Sequence, residues 1–341
     1  MAPLRDKRVK TPFVSSVFYF CFFLLLLIIF GAASALFQVK GISLRHLAEV
    51  FATQSNDAVS YTVWHVRVPR VLLAVLLGAG LAAAGALLQG MTRNPLSDPE
   101  ILGVNQGASC FVVIALVLFG EQNASWLILG AAFLGAAAGG SLIYVLAFRS
   151  GYSPYRIVLA GSAVSLFLGA LTTGTILLHE NKLTEILYWM AGKLSGSNWD
   201  DIRIILIPVL VALVCSFALA QRMNVLVLGE ETAQGLGMNT LRIRRYLSVL
   251  IVVLTGSAVA VAGPIGFIGL MVPHMARRLV GHDYRILLPF SALLGANLLV
   301  LADFASQWIT YPADIPVGII TALLGTPFFV YLLRSKKGDV K

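Results

Sequence analysis

Apolar runs recur ten times along the chain, most of them about 18 residues or longer. They fall at about 17–37, 68–90, 101–119, 125–148, 156–178, 202–220, 246–262, 265–280, 286–306 and 315–333. A helix of about 20 such residues crosses the ~30 Å hydrocarbon core of a bilayer. Inside that core a backbone must satisfy its own hydrogen bonds, so it spans as a helix or as a closed barrel. The alternating strands of about ten residues that build a barrel are missing. Composition agrees: 58% of the residues are hydrophobic and 12% charged, where a soluble domain carries about a quarter charged residues. The expectation is an all-α, polytopic transmembrane bundle of ten helices, one domain over residues 1–341. The eighth run is interrupted by Gly263-Pro264, Gly266, Gly269 and Pro273.

Basic residues fix an orientation. Of the 25 Lys and Arg, seven (Lys40, Arg45, Arg67, Arg70, Lys182, Lys193, Arg203) fall in one set of loops and the other eighteen in the opposite set with both termini. The positive-inside rule then predicts N-in, C-in. The net charge of +9 is spread over these loops and forms no stripe for a phosphate backbone, so no nucleic-acid partner is expected. Cys21, Cys110 and Cys215 stand singly in apolar runs, which suggests packing rather than a metal or disulfide framework. Arg5, Lys7, Arg8 and Lys10 before the first run, and Ala33-Ser34-Ala35 after it, imitate a signal peptide. The run exceeds a usual signal core and further spans follow, which favours a retained first helix.

Catalytic patterns are missing. There is no GxSxG or HExxH, and His46, His65, His179, His274 and His282 lack ligand spacing. AGKLSGS (191–197) evokes a phosphate loop, but Leu187 and Leu194 occupy the positions of its first glycine and its hydroxyl. No enzyme activity, cofactor or metal site is expected. Ion-coupled carriers bury several acids or histidines at mid-membrane. Here Asp303 and His274 stand almost alone, each a cap or inter-helix hydrogen bond or else a proton relay. The driving energy is expected to come from outside the chain; the rival reading is a stand-alone secondary transporter or channel.

Small residues are dense in LGAGLAAAGALLQG (77–90) and LGAAAGG (134–140), where Gly135 and Gly139 form a GxxxG. Such patterns let helices pack closely in lipid, within the bundle or across a dimer. Three polar stretches rich in glycine or proline need a purpose: TRNPLSDPEILGVNQGAS (92–109), the cassette LGEETAQGLGMNTLRIRR (228–245), and AGPIGFIGLMVPHMARRLVGHDYR (262–285). Unwound backbone at membrane depth is tolerated only against protein or a water-filled cavity. The cassette falls on the cytoplasmic side. Glu230 and Glu231 suit a helix N-terminus, Gly235 and Gly237 a break between short helices, and Arg242–Arg245 a headgroup anchor.

RVPR (67–70), QGMTRNPLSDPEILGVNQGAS, LGEETAQGLGMN, GPIGFIGLMVPHMARRLVGHDYR and DIPVGIITALLGTPFFVYLL (314–333) occur in that order. Together they resemble the FecCD-type permease subunits of type II ABC importers for iron-siderophores, haem and vitamin B12, over about residues 10–336. The resemblance implies a second permease subunit, identical or paralogous, and two cytoplasmic ATPase subunits. It also implies an extracytoplasmic substrate-binding lipoprotein or periplasmic protein, all at a bacterial cytoplasmic membrane. It makes 228–239 a pair of coupling helices for the ATPase, carried by Gly229, Glu230, Glu231, Ala233, Leu236, Gly237 and Met238; an ordinary solvated loop is the alternative.

Arg67 and Arg70 match positions that pair with glutamates of the binding protein; anchoring of span two is the alternative. Gln307 stands where many relatives carry a further outer arginine. HENKLTEILYWMAGKLSGSNWDD (179–201) matches an outer region with a gating helix, in which Tyr188 and Trp189 are gate or interfacial-belt residues. Asn94, Pro95, Pro99, Gly103, Gly107, Gly263, Pro264 and Gly266 are the remaining candidates for the translocation path and its gates. The cargo expected is an iron-siderophore complex, with haem or cobalamin as alternatives.

Overall fold

The computed structural model describes residues 13–37, 58–99, 103–119, 125–148, 154–179, 183–309 and 313–335. The basic residues Arg5, Lys7, Arg8, Lys10, Lys40, Arg45, Arg149, Lys182, Lys336, Lys337 and Lys341 lie outside them, as does Glu100. The described secondary structure is helical: α1 (Phe13–Leu36), α2 (Ala58–Thr62), a π-helical turn (Val63–Arg67), α3 (Val68–Thr92), α4 (Val104–Phe119) and α5 (Ser125–Phe148). There follow α6 (Pro154–Leu177), α7 (Leu183–Met190), α8 (Trp199–Ala218), α9 (Ala220–Val227), α10 (Glu230–Gly235), α11 (Thr240–Ala262), α12 (Ile268–Val280), α13 (Tyr284–Ile309) and α14 (Val317–Ser335).

Seven of these helical segments are long and apolar enough to cross a membrane; α4 and α14 are shorter apolar helices. The expected eighth span, 265–280, is instead the 13-residue α12. At 1.5 Å per residue it is about 20 Å long and cannot cross alone. The cause is the unwound stretch 263–266, where Gly263 has φ +72° and Pro264 removes a backbone donor.

Helix α3 is the axis of the bundle, packed by α13, α11, α12 and α8. Its small residues are the reason. A Cβ on Gly78 would strike the carbonyl of Gly295 in α13, and one on Gly85 the carbonyl of Gly269 in α12. Lipid tails are as apolar as the side chains, so close backbone approach, and not water exclusion, holds such helices together. Gly103 and Gly107 likewise meet Gly135 and Gly139, backbone against backbone. The GxxxG of α5 is thus filled from within the chain.

The outer surface carries the apolar side chains that lipid or a partner subunit would solvate. Phe18 and Ile28 on α1, Leu166 and Phe167 on α6, and Ile207 and Val214 on α8 are all exposed. Helix α1 rests on α13, where Asn297 donates to the Phe23 carbonyl at 3.0 Å and Phe20 and Phe23 flank Phe290.

Candidate functional site

The polar cassette protrudes between α9 and α11. Gly229, at φ +128°, turns the chain into the six-residue α10, and Gly237, at φ +79°, turns it out again; side chains other than hydrogen rarely accept such angles. Asn239 caps α11, its side chain accepting from the Arg242 N–H at 3.0 Å. Ala233 is buried, whereas Glu231, Leu236 and the preceding Leu228 are exposed. The two leucines stand out beside the acidic helix and make an apolar tip with a charged flank. Met238 and Gly237 line an adjoining cavity of about 510 Å³ with Arg222.

Glu230 turns inward instead. Its carboxylate accepts from Thr240 Oγ1 at 3.2 Å and from Arg244 Nη2 at 3.4 Å. Arg244 was expected at the headgroups with Arg242 and Arg245. Those two are exposed, but Arg244 is 1% exposed and donates to the Met91 carbonyl at 3.1 Å. A guanidinium at the last turn of α3 complements the carbonyl end of that helix.

The other end of α3 holds a buried ion network. Arg70 Nε donates to both carboxylate oxygens of Asp303, at 2.9 and 3.0 Å, and Nη1 reaches Asp314 at 2.7 Å. Asp303 is 1% exposed and accepts also from Gln307 Nε2 at 2.8 Å. Arg67 donates to the Gln307 side-chain oxygen. Tyr188 donates to the Asp314 carbonyl at 3.2 Å, which brings α7 into the network. The two arginines therefore differ. Arg70 is buried and engaged by carboxylates of its own chain, while Arg67 is half-buried; the preceding Tyr61 and His65 are exposed, and their rings stack at 4.5 Å. Asp303 was one of two lone ionisable residues in the spans; a buried acid in lipid needs a partner, and Arg70 supplies it.

Next to this network three chain segments cross with almost no side chain between them. A Cβ on Gly192 would sit 2.6 Å from the Pro264 carbonyl; one on Gly263 would strike the Trp189 carbonyl, and one on Gly318 the Ala191 carbonyl. Lys193 N–H donates to Ala262 at 2.7 Å and Gly318 N–H to Gly192 at 3.1 Å. The end of α7, the unwound stretch before α12 and the start of α14 are thus joined backbone to backbone. Trp189, Gly263 and Pro264 meet here and Gly266 completes the unwound stretch. Gly192 and Gly318 were not anticipated. Nor was Phe267, which adopts φ +68° with its ring against Gly325 of α14. A left-handed phenylalanine costs about 1–2 kcal/mol, and such strain collects at functional sites.

In the first polar stretch the candidates make local and interhelical contacts. Asn94 closes a turn by accepting from the Leu96 N–H at 3.0 Å, Pro99 lies against Gly269, and Gly103 and Gly107 form the α4–α5 contact. Tyr188 is partly exposed, whereas Trp189 is 7% exposed; interfacial belt residues would face outward. Among the described residues no cluster of three metal-ligating side chains occurs.

Comparisons with known proteins agree with this architecture. The model of the FecCD transport family matches residues 24–335. The Fe(3+)-citrate import system permease protein YfmD of Bacillus subtilis is 50% identical over 270 residues, 79% of this chain and 80% of that protein. The probable siderophore transport system permease protein YfiZ of the same organism is 41% identical over 304 residues, 89% of this chain and 91% of that one. A solved structure assigned to the metal-chelate type of ABC transporter, in an inward-facing conformation, superposes with a TM-score of 0.82 at 31% identity. It covers 94% of this chain and 99% of its own. The ordered motifs, the helical bundle with the unwound stretch before α12, and a match over most of the sequence lead to one assignment: this chain belongs to the FecCD transport family of permease subunits.

Proposed function

We propose that the chain is the membrane-spanning permease of an ATP-driven importer for ferric chelates, of the iron-siderophore and ferric-citrate kind. It works with a second permease subunit, two cytoplasmic ATPases and an extracytoplasmic binding protein. It crosses the bacterial cytoplasmic membrane ten times, with both termini inside and α12 completing its passage through the unwound stretch before it. The observation that carries the reading is the cassette 228–239. An apolar tip and a free acid project from a turn that is tied through Glu230 and Arg244 to the end of the central helix. ATP-dependent displacement of that tip shifts α3 and α11 and alternates access to the path. Arg67 presents a cation to the binding protein, and the backbone junction at Gly192, Gly263 and Gly318 is where α7, α12 and α14 pivot as the outer gate. The ferric cargo is supported by the names of the two relatives described above, at 50% and 41% identity.

Reconstitution of the permease with its ATPase and binding-protein partners tests this. Ferric citrate or a ferric hydroxamate is expected to accelerate ATP hydrolysis and to enter the vesicles, with cyanocobalamin inert in the same preparation. Chelate uptake driven by membrane potential without ATP refutes the mechanism. Stimulation by cyanocobalamin alone refutes the cargo.

A further inference from the structure

A second feature lies at the cassette end of the bundle, apart from the cassette itself. Between the end of α3, α12 and the start of α13 is a cavity of about 450 Å³. Arg93, Arg277, Arg278, His274 and His282 line it, with Gln89 and Tyr284, and no carboxylate is among its lining residues. Among the described ion pairs none engages Arg93, Arg277 or Arg278. The neighbouring acid, Asp283, is taken up by Asn224 Nδ2 at 2.7 Å and by the Arg285 N–H at 3.0 Å.

Basic residues at helix C-termini and on the cytoplasmic side of a membrane protein are ordinary, so charge alone decides nothing. The distinction is construction. Gln89 donates to the Gly269 and Leu270 carbonyls at 3.0 and 3.1 Å, which fixes its amide, and its oxygen accepts from Arg277 Nη1 at 2.6 Å. Tyr284 is hydrogen-bonded to Arg277 as well. The guanidinium is thus held by neutral groups, and among the described residues no ion pair compensates its charge. Arg278 lies 6.0 Å over the Tyr331 ring. Arg93 enters from the left-handed cap of α3, at φ +52°. A planar guanidinium held this way matches the paired oxygens of a phosphate. Pro95, Gly90 and Val227 supply an apolar wall suited to the glycerol and first methylenes behind a headgroup.

We propose that this cavity binds a phosphate oxyanion, presented by the headgroup of an anionic phospholipid. Basic pockets between spanning helices on the cytoplasmic side take such headgroups. Each arginine near the surface is worth about a factor of five in affinity.

The test is native mass spectrometry of the assembled transporter, counting phosphatidylglycerol retained against phosphatidylcholine. Phosphatidylglycerol is expected to be retained, and Arg277→Gln with Arg278→Gln to weaken it about thirtyfold. Arg156→Gln with Arg334→Gln, exposed cations outside the cavity, is expected to leave retention unchanged. If the double variant fails to assemble, the exposed Arg93→Gln serves, with an expected loss of about fivefold. Displacement of the lipid by millimolar inorganic phosphate, or phosphate protection of wild type but not of the variant, keeps the site and assigns it to the free ion. Equal losses in the cavity and control variants reduce the effect to general surface charge and overturn the proposal. Unchanged retention, with or without loss of the ATPase subunits, overturns it too.

Discussion

Replacing Asp303 by alanine leaves Arg70 buried with most of its compensation gone. The carboxylate receives the Nε contacts at 2.9 and 3.0 Å and an Nη2 contact at 2.9 Å, and only the Nη1–Asp314 contact survives. Breaking a buried pair by removing one partner costs about 3–5 kcal/mol. Asp314 is about a third exposed, and a partly exposed pair offsets about 1 kcal/mol of that. The expected net loss is about 2–4 kcal/mol. Replacing both charges together, Arg70→Met with Asp303→Leu, removes the buried cation as well, so the double variant is expected within about 1 kcal/mol of wild type. The assay is unfolding of the purified full-length permease by SDS in mixed micelles, followed by helical circular dichroism. The reasoning fails if Asp303→Ala stays within about 0.5 kcal/mol of wild type, or if the double variant is no more stable than that single one.

Charge reversal separates the two cassette acids. Glu231→Lys, on an exposed side chain, is expected to weaken ATPase binding in a pull-down without altering thermal stability. Glu230→Lys should lower stability as well, because it sets a cation against Arg244. Gly192→Ala places a Cβ 2.6 Å from the Pro264 carbonyl at φ +77°. It is expected to reduce chelate uptake more than tenfold in vesicles while the transporter still assembles. Arg67→Glu is expected to raise the Kd for the binding protein about tenfold or more by like-charge opposition, with a weaker salt dependence than wild type, measured by surface plasmon resonance.

The bundle was legible because apolar runs of spanning length admit little else in lipid. Its failure at α12 is instructive: apolar composition extends through Ile265 and Phe267, but the glycines and proline unwind the chain there, and hydropathy does not register winding. The Arg70–Asp303 pair spans 233 residues, and no local pattern tells which helices become neighbours. A lone acid in a span left a cap or inter-helix hydrogen bond and a proton relay both open, and named no partner. Within LRIRR the three arginines read alike, and only the position of the Met91 carbonyl draws Arg244 inward. Gly192 and Gly318 were passed over because a glycine required by the carbonyl of another segment leaves no trace in its own neighbourhood. The GLGMN turn, by contrast, was readable, since the positive φ at Gly237 is a demand of its own backbone.

Helix α3 touches both ends of this molecule. Arg67 and Arg70 stand at its start, and Met91, gripped by Arg244, at its finish. Its 25 residues make a strut about 37 Å long, stiff along its axis because each peptide is bonded to the next turn. A strut cannot shorten, so a push on its foot arrives at its head without any relay of side chains. If the proposed partners bind at the two ends, their binding energies enter one equilibrium, and whatever favours one position of the foot must be felt by a ligand at the head to the same degree.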